Sequence, residues 1–135
     1  MLDFDGRTFQ VLEMALDGGV TTQKSIAHNL SNINTPGYNR LEVSFKDQLS
    51  QIILNKYEKL PLKITSEKHI SNTAQRFAPK VTQDKTGIRT PDGNNVDIDR
   101  EMVDMVKNNL YFNTVSSVTN KKISLLKYVE AEGRR

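Results

Sequence analysis

Both ends of this chain carry apolar residues at alternating spacings of four and three, and no other feature constrains the fold as strongly. Alternation of four and three is the spacing of a helix that packs through a narrow seam, as in a coiled coil. The N-terminal seam runs through Phe9, Leu12, Leu16, Gly19, Gln23, Ile26, Leu30 and Ile33. In the C-terminal seam the first apolar positions are Met102, Val103, Val106 and Leu110, and the alternation of four and three then runs through Tyr111, Val115, Val118, Lys122, Leu125 and Val129.

These two seams predict a mainly α fold, with one helix over residues 6–34 and another over 98–131. The stretch between them, 35–97, is predicted to be a turn followed by a small irregular arm. Within it the alternating LEVSF segment predicts a short strand, and Phe45 to Tyr57 a helix. Further short strands are expected in the arm, and TPDGNN is a dense turn signal. The predicted strands lie around 62–65 and 79–82.

The start of the C-terminal helix is marked by acidic residues. We expect Asp99 to be the N-cap, since a carboxylate there accepts a hydrogen bond from the free amides of the first turn. Ile98 and Val103 have the spacing of a hydrophobic staple around such a cap. Glu101 and Asp104 suit the positive end of the helix dipole.

The composition argues against a large independent core built from these helices alone. Only 36% of the residues are hydrophobic, and the mean hydropathy is -0.55. Small domains bury little surface, so stability is expected to come partly from partners. The seams therefore predict that the two ends pair with each other or with neighbouring chains. A plain helical hairpin inside a monomer is the alternative.

Residues that carry chemistry are scarce, and we expect no catalytic residues, metal site or cofactor. The chain has no cysteine, which removes thiolate metal sites and a Cys nucleophile. His28 and His69 have no companion of a catalytic or metal-ligating pattern. Residues 95–99 resemble the start of a calcium loop, but Arg100 stands where such a loop requires glycine. The chain is therefore predicted not to be an enzyme.

Charge and hydropathy along the chain limit its possible partners. The net charge of +3 comes from interspersed signs, so a nucleic-acid footprint is not expected. No run approaches the roughly 20 apolar residues of a membrane span. The segment MLDFDGRTF is acidic from its third residue, so we expect export, if any, without a recognisable cleaved signal.

The segment SNINTPGYNR follows the first helix and has turn chemistry. Pro36 disfavours helical geometry at Thr35, so the helix must end at or before that residue. Pro36 and Gly37 fit the two central positions of a type II turn. Asn32 and Asn34 are expected to satisfy carbonyl groups at the helix end, with Tyr38 packing back on it.

The combination of this turn with the C-terminal stretch resembles the bacterial flagellar rod and hook proteins. TPGY alone is a weak motif, but TPGY followed by NNVDIDREM and KKISLLKYV in that order is specific. The C-terminal stretch is most similar to the proximal rod member of that family. The residues that match the N-terminal signature are Ala27, Asn29, Leu30, Asn32, Asn34, Thr35, Pro36, Gly37 and Tyr38.

The resemblance implies a non-enzymatic structural subunit of the flagellar basal body. Its terminal helices would form coiled-coil inner domains, self-assembling into a hollow rod that spans the periplasm and transmits torque. Its implied partners are further copies of itself, the rod proteins FlgC, FlgF and FlgG, the basal adaptor FliE and the flagellar type III export apparatus. No small-molecule substrate or nucleic acid is implied, and export would begin in the cytoplasm without a cleaved signal peptide.

The resemblance also implies a short export element of the form Phe-x-x-x-hydrophobic. Phe45 to Leu49 fits it, and Phe77 to Val81 fits equally well. A pair that faces the core of a short helix is an equally good interpretation of Phe45 and Leu49.

Two other functions share part of these features. A cytoplasmic coiled-coil adaptor or scaffold would have the seams but would not need the TPGY turn. A nucleic-acid-binding module would use the basic isoelectric point and would bind with a steep salt dependence.

Overall fold

The computed structural model describes residues 6–54, 77–86 and 90–133. It confirms a mainly α fold with long terminal helices and a small sheet in the middle. The strand predicted near 62–65 lies outside the described residues. The elements in chain order are α1 (Gly6–Ser31), β1 (Leu41–Ser44), α2 (Lys46–Leu54), β2 (Lys80–Gln83) and α3 (Ile98–Glu132).

Helices α1 and α3 lie antiparallel against each other along most of α1. Near the C-terminal end of α1, the Asn29 side chain bonds Glu101, in the first turn of α3. Halfway along, the Asn108 side chain donates to the carbonyl of Gly19. Close to the start of α1, the Lys122 ammonium lies 5.1 Å from the centre of the Phe9 ring. The two ends of the chain therefore pair within one molecule, as a helical hairpin.

The start of α3 corrects the predicted cap. Asp97, not Asp99, is the N-cap: it has extended backbone angles (φ -110, ψ 119), and its carboxylate accepts the amide of Asp99. The carbonyl of Asp97 already accepts the amide of Glu101. Asp99 lies inside the first turn, because the cap is two residues earlier than the acidic pattern suggested and the helix begins at Ile98, the first residue of the predicted range.

The sheet has two antiparallel strands, with Leu41 opposite Gln83 and Val43 opposite Val81. The amide of Asp84 donates to the carbonyl of Arg40 at 2.8 Å. Hydrogen-bonded and non-bonded pairs alternate in such a ladder, so Leu41 and Val43 turn their main-chain groups away from β2. The strand predicted at 79–82 is therefore confirmed as β2.

The apolar core of the described residues is small: Ala15, Ile26, Phe45 and Val96 are its buried hydrophobic members. The Phe45 ring packs on the backbone of α1 at Gly18, where a Cβ would come within 2.4 Å of the ring. Phe45 also meets the edge of the Tyr111 ring, with centroids 5.9 Å apart. The absence of a side chain at Gly18 thus allows the Phe45 ring to approach α1 closely.

The two faces of α3 differ in polarity. Its buried residues are polar, Glu101 and Asn108. The opposite face of α3 carries a row of half-exposed apolar side chains, here called the outer stripe: Ile98, Met102, Val103, Val106 and Leu110.

Among the described helices, none is long and apolar enough to cross a bilayer.

Candidate functional site

The TPGY segment forms the predicted reversal after α1. The amide of Tyr38 donates to the carbonyl of Thr35 at 3.3 Å, which closes a four-residue turn around Pro36 and Gly37. Gly37 has a φ of +70°, the left-handed region that a type II turn requires at its third position. The geometry of the turn is therefore confirmed, and glycine is needed at residue 37.

The carbonyl groups of the turn that follows α1 are bound by a side chain from the segment that precedes α3. The Asn94 side-chain nitrogen lies 2.9 Å from three main-chain oxygens, those of Asn32, Ile33 and Thr35. Asn94 is 1% exposed. Asn32 contributes as predicted, donating to the carbonyl of His28 at 2.8 Å.

A second turn, Thr90 to Gly93, packs directly against the TPGY turn. The amide of Gly93 donates to the carbonyl of Thr90 at 2.8 Å. The two turns are joined by a hydrogen bond of 2.9 Å from the amide of Gly37 to the carbonyl of Asp92. A Cβ on Gly93 would lie 3.5 Å from the Gly37 Cα, so the two glycines bring the two backbones together.

Beneath the turns lies a group of five polar side chains, of which four are buried and Asp104 is 30% exposed. It is here called the polar cluster: Asn29, Arg40, Asn95, Glu101 and Asp104. The Arg40 Nε donates to Glu101, and its Nη2 donates to Asp104 at 2.8 Å. Asn29 donates to the other Glu101 oxygen at 3.2 Å. Glu101 and Asn29 are fully buried, and Arg40 is 5% exposed. The cluster joins α1, β1 and α3.

The amide side chains of the polar cluster bind main chain as a peptide would. Asn29 both donates to the carbonyl of Leu41 and accepts its amide, at 2.9 and 2.8 Å. It thereby occupies the outer edge of β1 at Leu41. Asn95 accepts the amide of Arg40 and donates to the carbonyl of Asp84, both at 2.7 Å. Each asparagine thus ties a helix or loop to the small sheet.

Tyr38 links the turn to the polar cluster. Its hydroxyl donates to Asn29 Oδ1 at 3.1 Å and lies 2.9 Å from His28 Nδ1. Burial, and to a smaller degree the charge of Glu101, raises the pKa of Tyr38 above 10.0. The hydroxyl therefore keeps its proton, and remains a donor to Asn29, at any physiological pH.

The chemistry of the polar cluster is structural. A buried ion pair contributes little net stability over apolar packing, but removing one partner leaves a charge buried without compensation. Such a cluster specifies one arrangement of the segments that meet at it. Within the described residues no group of three or more histidine, aspartate or glutamate side chains could hold a metal ion. The polar cluster therefore fixes the relative positions of α1, β1 and α3.

The predicted seam residues fall into two groups. On α1, Ile26 is buried, and Leu12, Leu16, Leu30 and Ile33 are partly buried. On α3, Val115 is partly buried, and it is on the side of α1. Tyr111 and Lys122 are also partly buried. Seven α3 seam residues are exposed in the monomer: Met102, Val103, Val106, Leu110, Val118, Leu125 and Val129.

The remaining predicted positions are spread over the turn and α2. Asn34, Thr35 and Pro36 are exposed. Phe45 is 4% exposed and packs in the core, while Leu49 is partly buried. Sequence reasoning missed Arg40, Asn94 and Asn95 as site residues, and placed Glu101 and Asp104 only as dipole partners. The only local sign of their role in the sequence was that they are polar residues next to two turns.

A mainly helical chain whose two long helices are joined at a buried polar cluster, and whose C-terminal helix exposes a row of apolar side chains, has the build of a structural assembly subunit. Comparison with known proteins agrees. The chain is 32% identical to a flagellar basal body rod protein FlgB of Bacillus subtilis over 94% of this chain and 95% of the relative. It is 31% identical to that of Aeromonas hydrophila, over 97% and 98%.

A third relative, the flagellar basal body rod protein FlgB of Borreliella burgdorferi, is 30% identical over 87% of this chain and 85% of its own length. No family model matches the chain. The chain belongs to the FlgB family of flagellar basal body rod proteins.

Proposed function

We propose that this chain is a structural subunit of the proximal rod of the bacterial flagellar basal body. It assembles through its terminal helices into a hollow axial structure that transmits torque. The observation that carries this proposal is the likeness to rod proteins over 94% of the chain. That span includes both terminal helices and the junction where they meet.

The distribution of apolar surface supports assembly through the helices. Leu110 is 64% exposed and Val106 57%, and both belong to the outer stripe. Contiguous apolar surface of this kind on a soluble monomer marks an interaction site. The polar inner face of α3 pairs with α1, which leaves the outer stripe and the far seam residues Val118, Leu125 and Val129 for neighbouring subunits.

Partners and location follow from the proposed place in the rod. The neighbours would be copies of this chain, the rod proteins FlgC, FlgF and FlgG, and the adaptor FliE. The rod would span the periplasm, and the chain would reach it through the flagellar type III export apparatus without a cleaved signal. A cytoplasmic coiled-coil adaptor is the competing function, and it would leave the chain inside the cell.

Isolated basal bodies provide the direct test. An epitope-tagged copy, expressed in place of the native gene, should co-purify with basal bodies and label the base of the rod. Val106→Asp with Leu110→Asp should abolish incorporation and motility while the monomer keeps its helical circular dichroism. Asn109→Asp with Asn113→Asp, on the same helix, is the matched control. A tagged chain that supports motility but stays in the cytoplasm would support the adaptor instead.

The proposed export element needs a separate experiment, because Phe45 also packs in the core. Secretion depends on the chain before it folds, so Phe45→Ala should lower the amount secreted, and Phe77→Ala should not. The reverse pattern would transfer the role to Phe77. Unchanged secretion for both variants would leave Phe45 as a packing residue against Gly18.

A further inference from the structure

The middle of α3 is built from residues that favour a helix poorly. Residues 113–120, here called the waist, read NTVSSVTN. Asparagine, threonine, valine and serine each form a helix about two- to threefold less readily than alanine does. The waist is thus a run of eight weak helix formers inside a helix of 35 residues. Unless packing supports it, it is the stretch at which α3 opens most easily.

Hydroxyl groups within the waist compete with the helical main chain. Thr114 donates to the carbonyl of Leu110, and Thr119 donates to that of Val115, both at 2.8 Å. In a helix each of these carbonyls also accepts the amide four residues further on, so two donors share it. Side-chain bonds of this kind slightly weaken and bend a helix. They act in the same direction as the low helix propensity of the waist.

Packing does not make up for this weakness. The buried residues of α3 are Glu101 and Asn108, and both precede the waist. None of the eight waist residues is buried, and the described residues of α3 that follow them are at most partly buried. Beyond the waist, the Lys122 ammonium lies over the Phe9 ring of α1. The buried contacts that hold α3 in place are therefore all on one side of the waist.

The stretch of α1 that lies opposite the waist is a strong helix. The contacts of Asn108 with Gly19 and of Lys122 with Phe9 enclose the waist on α3 and residues 10–17 on α1. Those α1 residues read QVLEMALD, and six of the eight are strong helix formers. In this part of the pair the weakness belongs to α3, so an opening at the waist would leave α1 intact.

Another weak stretch, in α1, shows what packing supplies elsewhere in the same pair. Residues 18–22 read GGVTT and also favour a helix poorly. The Phe45 ring packs on Gly18, and Asn108 donates to the carbonyl of Gly19. Buried contacts thus hold this stretch in place, whereas the waist has no buried residue of its own.

We propose that the waist is a built-in hinge of α3. The part of α3 that follows it, residues 121–132, separates from α1 in the free chain, while the part that precedes it stays bound to the polar cluster. Opening gives access to the face of α1 that pairs with this part of α3, and it breaks no bond of the polar cluster. The inference goes beyond the proposed function, because it concerns the isolated chain and holds with or without a rod.

Distances between pairs of spin labels on the full chain test the hinge. The chain has no cysteine, so two introduced cysteines are the only labelling sites. The far pair, Thr8→Cys with Lys127→Cys, spans the two helices beyond the waist. The near pair, Lys24→Cys with Lys107→Cys, spans them on the side of the polar cluster. All four positions are exposed.

Double electron–electron resonance of the purified protein should give two distances for the far pair and one for the near pair. The longer far distance reports the open form. Asn113→Ala with Val118→Ala strengthens the helix within the waist and should lower the ratio of open to closed molecules about fivefold. Asn109→Ala with Val103→Ala is the matched control, since it makes the same replacements at exposed positions before the waist. It should leave that ratio unchanged.

Three results would overturn the inference. A single far distance in the parent chain would show that α3 stays closed along its whole length. A second near distance would show that the pair opens at the polar cluster as well. Equal effects of the waist and control substitutions would show that the weak stretch does not set the opening. Circular dichroism should show that every variant is folded, and none of these results bears on the test of the proposed function in basal bodies.

Discussion

The two ends of the α1–α3 pair are held together in different ways. At the junction end, the polar cluster and two turns tie α1, the sheet and α3 together through buried hydrogen bonds. At the far end, the described contact is the Lys122 ammonium over the Phe9 ring, while Leu125 and Val129 stay 44% and 45% exposed.

The difference means that the contacts that fix the geometry of the monomer are separate from the surfaces on which subunits would assemble. Buried polar contacts fix which residues face each other, because any slip leaves a charge or an amide unpaired. Half-exposed apolar residues impose no such register and are free to pack against another surface. The junction end therefore sets the geometry of the monomer, and the far end and the outer stripe keep the surface on which subunits would meet.

The largest effect is expected from Glu101→Ala, which breaks the junction end. It removes the acceptor of Arg40 Nε and of Asn29 while both stay buried. The free energy of unfolding should fall by about 3–5 kcal/mol, measured by urea titration with circular dichroism. Glu13→Ala, at an exposed position of α1, should change little. A loss of less than about 1 kcal/mol for Glu101→Ala would show that the cluster does not hold the ends together.

Asn94→Ala should come next, because it releases the turn that follows α1 from the segment that precedes α3. The substitution leaves the carbonyl groups of Asn32, Ile33 and Thr35 without this donor and removes the acceptor of the Val96 amide. We expect a loss of about 2–3 kcal/mol, and amide exchange should speed up at the turn before it does at the centre of α3. Asn109→Ala, exposed on α3, is the matched control. Equal stability of the two variants would show that Asn94 does not hold the turn in place.

A smaller effect is expected midway along the pair, at the two adjacent glycines. Gly18→Ala places a Cβ within 2.4 Å of the buried Phe45 ring, while Gly19→Ala meets Phe112 at 3.3 Å. Alanine favours the helix by about 1 kcal/mol over glycine. Gly18→Ala should lose about 1–2 kcal/mol despite this gain, because the ring must move. Gly19→Ala should be neutral or more stable. Thermal unfolding of both variants gives the answer, and a stabilised Gly18→Ala would mean that Phe45 is not fixed there.

The smallest effect is expected at the far end. Lys122→Ala removes the ammonium from the Phe9 ring and should cost about 0.5–1 kcal/mol. Lys121→Ala, the exposed neighbour, should have no measurable effect on urea unfolding. If Lys122→Ala lowered the free energy of unfolding as much as Glu101→Ala, the two ends of the helix pair would contribute equally to stability, contrary to the difference described above.

Periodicity was enough to predict the helices, because it records where apolar side chains repeat. Leu12, Leu16 and Ile26 follow the expected spacing and lie toward the interior of the monomer. The same reasoning could not tell which face of α3 pairs with α1. The face of α3 that contacts α1 carries the buried polar residues Glu101 and Asn108. A repeat of apolar residues in the sequence cannot reveal a contact face that is polar.

Local sequence patterns could not predict the junction between α1, the sheet and α3. Arg40 lies 61 residues before Glu101 in the chain, and Arg40, Asn94 and Glu101 each have the local sequence pattern of a turn or surface residue. Their burial depends on three segments arriving together, which no single window shows. The helix cap was misassigned for a related reason: Asp97 and Asp99 are both good caps, and only the backbone angles decide between them.

The contact between Gly37 and Gly93 makes the middle of the chain a closed loop with pinned ends. The hydrogen bond from Gly37 to Asp92, and the one from Arg40 to Asn95, fix where the segment leaves α1 and where it returns to α3. The entropy of closing such a loop grows only slowly with its length. We therefore expect that the stretch between α2 and β2 can be lengthened, shortened or exchanged between homologues while the helical pair keeps its geometry.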